Sequence, residues 1–205
     1  MSDNIFWHRT SVTREDRERM NGHRAGVVWF TGLSGAGKST LAHAVEARLH
    51  ALGGRTYVFD GDNVRHGLCS DLGFSASDRH ENMRRIGELV RLFDDAGVIA
   101  LAAFISPYRA DRERIRDQVG TDRFVEVYCR CGIDVCEARD RKGVYRRARA
   151  GEIREFTGIS APYEEPLAPA LVLDTGAAPL DECVERVLDT IREKGMLPTE
   201  RDADR

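Results

Sequence analysis

Val27-Val-Trp-Phe-Thr31, followed by Gly32-Leu33-Ser34-Gly35-Ala36-Gly37-Lys38-Ser39-Thr40, is the stretch from which the rest of the chain is read. A short β-rich run meets a loop with three glycines, and Leu41, Val45, Leu49 and Leu52 then recur at helical spacing. The loop fits G-x-x-x-x-G-K-[ST] at every fixed position. Such a loop wraps a phosphate chain with inward-pointing N–H groups, and glycine permits the torsions and the close approach. The helix behind it adds partial positive charge at its N-terminus. Lys38 is placed to reach the β- and γ-phosphates of a nucleotide and the Ser39 hydroxyl to ligate Mg2+. The strand before the loop and the helix after it separate this reading from an ordinary glycine-rich turn.

Outward from that stretch, strand and helix signals alternate. Thr56 to Phe59 reads as a second strand ending at Asp60, after Gly53-Gly54 has stopped the first helix. Ser77 is the expected cap of a helix with Met83, Ile86, Leu89, Val90 and Phe93 on one face, ended by Asp95-Ala96-Gly97. Val98 to Ile105 is wholly apolar, as a parallel strand covered on both faces should be, and Pro107 closes it. A helix over Asp111 to Val119, strands at Phe124 to Cys129 and Leu171 to Asp174, and a helix over Pro179 to Lys194 complete the pattern. The expected fold is α/β, a P-loop NTPase-like parallel five-stranded sheet flanked by helices, with a polar lid insertion. The lid is the stretch Arg139 to Glu165, which holds seven basic and two acidic residues by Arg154 and no good strand. Residues 1–25 read as an extended arm and a short surface helix, 26–195 as the domain, and 196–205 as a flexible tail.

Composition narrows the classes. Of 205 residues, 41% are hydrophobic and 32% charged, with a net charge of −3 and a pI near 6.1, ordinary values for a globular chain. They favour neither nucleic acid nor a membrane surface as partner, and no signal peptide or spanning run is seen, so a cytoplasmic location is expected. Five cysteines at irregular spacing make neither a disulfide framework nor a zinc site and read as incidental thiols.

Strand two runs into Asp60-Gly-Asp62-Asn-Val-Arg65. Carboxylates at the C-terminal end of a parallel strand sit over the ligand crevice. One of the two can hold magnesium waters while the other accepts a proton from an attacking hydroxyl. Arg65, Arg79 and Asn82 follow on the next loop and helix, and arginine forks suit an anionic acceptor. Phe74 and Phe156, aromatic residues in polar surroundings, read either as base-stacking platforms or as core.

With these residues in view, the chain resembles the adenylylsulfate kinase family over roughly Ile5 to Ile191. The likeness rests on FTGLSGAGKST at 30–40, DGDNVRHGLCSDLGFS at 60–75, FISPYRADR at 104–112, CEARDRKGVYRRARAGEIREFTGI at 136–159 and Trp7-His8. The resemblance implies transfer of the ATP γ-phosphate to the 3′-hydroxyl of adenylyl sulfate, with ATP and Mg2+ required. By position it implies Lys38, Asp60 and Asp62 as catalytic, with Asp62 the base or magnesium-water partner, and Ser39 and Asp62 on the metal. Gly32 to Thr40 would hold the phosphates, and Arg139 with Thr175 would lie by the ATP adenine. Arg65, Arg79 and Asn82 would hold phosphosulfate and ribose, Phe74 and Phe156 the acceptor adenine, and Ile105, Ser106 and Lys142 the rest of the acceptor.

Ser106 stands where the family has a phosphoserine, so it joins the catalytic candidates, although transfer in P-loop enzymes needs only positioning and charge neutralisation and a positioning role is expected. Ala36 replaces a serine frequent in the loop. A homodimer is implied, with ATP sulfurylase a candidate docking partner. Three rival readings are a kinase for another small acceptor, a GTP switch and a non-catalytic sulfonucleotide-binding subunit. The first is opposed by the DGDNVRHGL and FTGI segments, the second by the lack of N-K-x-D, and nothing in Asp60 or Asp62 signals the third.

Overall fold

β1 (Gly26–Thr31) runs through the centre of a five-stranded sheet of order β2-β3-β1-β4-β5, all pairings parallel. Its neighbours are β3 (Ile99–Ala103) and β4 (Phe124–Arg130), and β2 (Thr56–Asp60) and β5 (Leu171–Asp174) form the edges. The computed structural model describes residues 6, 8, 10–140 and 142–198. Trp7 and the expected tail from 199 on lie outside the described residues.

Every residue of β1 and β3 is buried, which is why both stretches read as unbroken apolar runs. Side chains alternate across the sheet. Val28 and Phe30 enter one core with Leu41, Val45 and Leu49 of α2 (Lys38–Ala51) and Val187 and Ile191 of α7 (Leu180–Glu193). Val27 and Trp29 enter the other with Met83, Ile86 and Val90 of α3 (Ala76–Asp95) and Ile115 of α4 (Arg109–Val119). Sandwiching the sheet fixes the height of all five strands, so the loops at their C-terminal ends share one crevice.

Several sequence expectations are corrected. Leu52 does not share the α2 face: it caps the helix and is exposed, because the chain turns there into Gly53. The cap of α3 is Ser75, whose Oγ accepts from the Asp78 amide at 3.2 Å, two residues before the expected Ser77. β3 ends at Ala103, earlier than the apolar run, since Phe104 and Ile105 already belong to the turn over the crevice. A 3-10 turn (Asn63–His66) and helices α5 (Ile133–Ala138) and α6 (Val144–Arg149) were not read from the sequence. They are too short for an amphipathic period to stand out.

Packing continues at both ends of the sheet. The helix expected near the N-terminus is α1 (Arg14–Asn21), opened by a Thr13–Asp16 capping box. It is tied to the domain by ion pairs. Arg123 Nη1 donates to Glu18 Oε1 at 2.7 Å and lies 3.5 Å from Asp94 Oδ1, and Arg14 Nη1 reaches Asp94 Oδ2 at 3.1 Å. At the other end the tail does not begin at 196. Met196 is 1% exposed and Leu197 packs on the α2–α7 core. A Cβ on Gly26 would fall 2.3 Å from Met196 Cε, so the glycine at the head of β1 makes room for this methionine. Met196→Ala should therefore destabilise the fold by about 2–5 kcal/mol. Chemical denaturation reads this directly, and an unchanged midpoint would restore the boundary at 195.

Candidate active site

The loop between β1 and α2 carries Gly32 to Lys38 across the C-terminal edge of the sheet. Gly32 lies so close to β4 that a Cβ there would sit 2.5 Å from the Cys129 carbonyl. Lys38 opens α2 and is 8% exposed, and its Nζ donates to the Leu33 carbonyl at 2.7 Å, curling back over its own loop. Burial lowers the affinity of Lys38 for its proton, and the carboxylates of Asp60 and Asp62 work the other way. Burial pushes the Cys129 and Cys136 thiols beneath the loop up to about 12, so they are protonated and unreactive at neutral pH.

The two aspartates do different things. Ser39 Oγ donates to Asp60 Oδ2 at 2.5 Å, while Asp60 Oδ1 accepts the Asp62 and Asn63 amides at 2.9 and 3.4 Å. Asp62 stands beyond the strand end, exposed, with Oδ2 in an ion pair with Lys142. That pair raises the Lys142 pKa above the ordinary lysine value. The carboxylate beside Ser39 is thus Asp60, whereas the sequence pairing for the metal was Ser39 with Asp62. The chain turns at Gly61, so the two carboxylates do not project alike as they would on an extended strand. A hydroxyl and a carboxylate at hydrogen-bond distance are a hard-oxygen donor set suited to Mg2+ completed by phosphates and water. Among the described residues no group of three or more His, Cys, Asp or Glu is gathered as a self-sufficient metal site.

Opposite the loop, Arg65, Phe74 and Arg79 form a corner. Phe74 is 58% exposed, which removes the core reading for it. The Arg65 guanidinium lies 4.2 Å from the Phe74 ring centroid and donates to the Leu72 and Gly73 carbonyls at 3.1 and 3.0 Å. Arg79 donates to the Phe74 and Glu155 carbonyls at 2.8 and 2.6 Å and to Thr157 Oγ1 at 3.0 Å. Among the described residues neither arginine has a carboxylate within ion-pair distance, and burial lowers the Arg79 pKa. Asn82, 4% exposed on α3, has an amide nitrogen with no hydrogen-bond partner among the described residues. Phe156 is half-buried, edge-on to Tyr145 at 4.9 Å, and part of its surface serves the core.

The charged segment 139–165 lies along the crevice. Tyr145 OH donates to the Ser34 carbonyl at 2.8 Å, and a Cβ on Gly158, whose φ is +88°, would meet Leu33 at 2.9 Å. At its N-terminal end Arg139 donates to the Thr175 and Gly176 carbonyls at 3.0 and 3.4 Å, bringing together two residues far apart in sequence. Ile105 and Ser106 close the β3 end. Thr31 Oγ1 donates to the Ile105 carbonyl at 2.8 Å. Ser106 is 2% exposed; its Oγ accepts from Trp29 Nε1 at 3.0 Å and donates to Thr31 Oγ1 at 2.9 Å. This hydroxyl is buried, held between the Trp29 ring nitrogen and the Thr31 hydroxyl.

Sequence reading missed Thr31, Tyr145, Thr157 and Tyr163. The one signal available for the tyrosines was an aromatic ring in a highly charged stretch. Tyr163 OH lies 3.0 Å from Thr31 Oγ1, which ties the segment's C-terminal root to the end of β1.

Against known proteins, the profile of the adenylylsulphate kinase family matches residues 24–174. An adenylyl-sulfate kinase of Acaryochloris marina is 55% identical over 196 residues, 96% of each chain. A solved APS kinase of Mycobacterium tuberculosis, in complex with AMPPNP and APS, is 45% identical with a TM-score of 0.78, covering 83% of this chain and 99% of that one. A hexameric APS kinase from Thiobacillus denitrificans is 34% identical with a TM-score of 0.65, covering 89% of this chain and 32% of that one.

Proposed function

The chain belongs to the adenylylsulphate kinase family, and from that premise we propose that it transfers the γ-phosphate of Mg·ATP to the 3′-hydroxyl of adenylyl sulfate, giving 3′-phosphoadenylyl sulfate and ADP. The observation that carries this reading is the crevice itself. It combines a phosphate-binding loop, Asp60 and Asp62 at the end of β2, and a corner of two arginines that, among the described residues, have no carboxylate within ion-pair distance and stand beside an exposed aromatic ring.

In this mechanism the amides of 32–40 and Lys38 hold the β- and γ-phosphates and take up charge that spreads over the transferring group. Ser39 and Asp60 would hold Mg2+, which would supply charge neutralisation of the phosphates. Asp62 accepts the proton of the acceptor hydroxyl once Lys142 yields, since Asp60 spends both carboxylate oxygens on Ser39 and on backbone amides. Arg65, Arg79 and Asn82 take the phosphosulfate and ribose, Phe74 and Phe156 the acceptor adenine, and Ile105 and Lys142 complete that side. Arg139 and Thr175 lie by the ATP adenine. The segment 139–165 acts as a lid that excludes water. A homodimer, a cytoplasmic location and docking with ATP sulfurylase, the class of enzyme that makes the acceptor, complete the proposal. Among the described residues no helix is long and apolar enough to cross a membrane.

ADP release from Mg·ATP with adenylyl sulfate, gluconate, shikimate and AMP in parallel tests the acceptor. Only adenylyl sulfate should support turnover, and Lys38→Ala should lose on the order of 3 kcal/mol of transition-state stabilisation or more. Faster turnover of another acceptor would sink the assignment. Asp62→Asn should lower kcat about a hundredfold or more with a smaller change in the KM for ATP, whereas Asp60→Asn should shift the Mg2+ concentration needed for half-maximal rate. The reverse pattern would exchange the two roles. Ser106→Ala should cost less than about a hundredfold, the scale of a lost positioning contact. A dead enzyme that is still folded, together with labelled phosphate chasing from the parent enzyme to product, would instead establish a phosphoserine intermediate.

A further inference from the structure

Arg112 sits where the acceptor-side loop, the sheet and the root of the charged segment meet, and none of the roles above uses it. It is 2% exposed, and its fork is spent in three directions. Nε donates to Glu126 Oε1 at 2.8 Å, a buried ion pair from α4 to β4. Nη1 donates to the Ser106 carbonyl at 2.5 Å, and Nη2 to the Glu164 carbonyl at 2.7 Å.

Both carbonyls belong to backbone that needs holding. Ser106 has a φ of +41°, a left-handed conformation that is unfavourable for a residue with a Cβ. Its hydroxyl is fixed between Trp29 and Thr31, so side chain and carbonyl are clamped from opposite sides. Glu164 is joined to the same loop. Its amide donates to the Pro107 carbonyl at 2.8 Å, and its carboxylate accepts the Arg109 amide at 2.8 Å. With Tyr163 on Thr31, residues 105–107 and 163–165 form one unit, and Arg112 grips both halves.

We propose that Arg112 is a positioning residue for the acceptor. Through the Ser106 carbonyl it holds the 105–107 loop in the conformation against which adenylyl sulfate docks. Through the Glu164 carbonyl it fixes the root from which the lid extends over the crevice. This rests on the proposed placement of the acceptor beside Ile105. A planar fork is required, because one point charge can balance Glu126 but cannot also span two divergent carbonyls.

Arg112→Lys separates this role from plain structural support. The KM for adenylyl sulfate should rise about tenfold or more, as misplacement of a docking surface does. The KM for ATP and the affinity for ADP, read by calorimetry, should stay within about twofold. The chain has two tryptophans, so in a Trp7→Phe background Trp29 alone reports on the Ser106 hydroxyl, and its emission should shift with Arg112→Lys. An equal loss for both substrates, or an unchanged acceptor KM in a folded variant, overturns the proposal. If the lysine variant fails to fold, the pair Arg112→Gln with Glu126→Gln removes both buried charges together and carries the same measurements. Phe74→Ala and Arg79→Ala serve as the separate check on the acceptor site. Unchanged acceptor affinity in both would remove that reading, while the KM split in Arg112→Lys still decides the role of Arg112.

Discussion

Everything that handles phosphate in this protein hangs from a strand buried on both faces. β1 has no exposed residue, with Val28 and Phe30 in one core and Val27 and Trp29 in the other. Neither face can slip without moving its whole apolar set into the wrong layer. The strand therefore delivers Thr31 to a fixed point, and the glycine loop begins one residue later. Trp29 and Thr31 then reach across to Ser106, so the same strand also fixes the end of β3. The phosphate loop and the 105–107 loop are referred to one rigid element, and transfer between two bound substrates needs such a reference, since a displacement of about 1 Å can cost two orders of magnitude.

The fold was legible because its signals are strong and local. Four features carried it: the apolar runs of β1 and β3, the helical spacing of α2, α3 and α7, the glycine loop, and the placement of Asp60 at a strand end. What sequence could not supply was geometry set by turns. Asp60 and Asp62 are two residues apart, which on an extended chain would aim them alike, but the turn at Gly61 gives one to Ser39 and the other to Lys142. Leu52 and Ser77 failed for a related reason. Each lies a residue or two from the true helix end, where periodicity carries no information and cap hydrogen bonds decide.

The charged segment 139–165 shows the opposite limit. Its composition reads as a polar lid with no strand of its own, and its position is determined by a few contacts of different kinds: a tyrosine hydroxyl on Ser34, a glycine against Leu33, Lys142 on Asp62, and the arginine contacts at 79 and 139. None has a sequence period. Met196 likewise looked like the start of a tail because one apolar residue after a helix gives no pattern, whereas the structure has left space for it at Gly26.

Charge placement ties these parts to the chemistry. Lys142 has its own carboxylate, and in an exposed setting such a pair contributes only about 0–1 kcal/mol, so it separates at little cost when a ligand competes. Arg65 and Arg79 are the reverse case. Their donors are held by backbone carbonyls and a threonine hydroxyl, which orient the guanidinium groups without cancelling their charge. Arg79 is desolvated enough for its proton affinity to fall, and that cost is offset when an anion arrives. A carboxylate paired with either arginine would compete with an anionic ligand and make its binding less favourable. The corner is thus built to favour a ligand carrying negative charge beside an aromatic face, and the dipoles that hold its arginines are in place before that ligand binds.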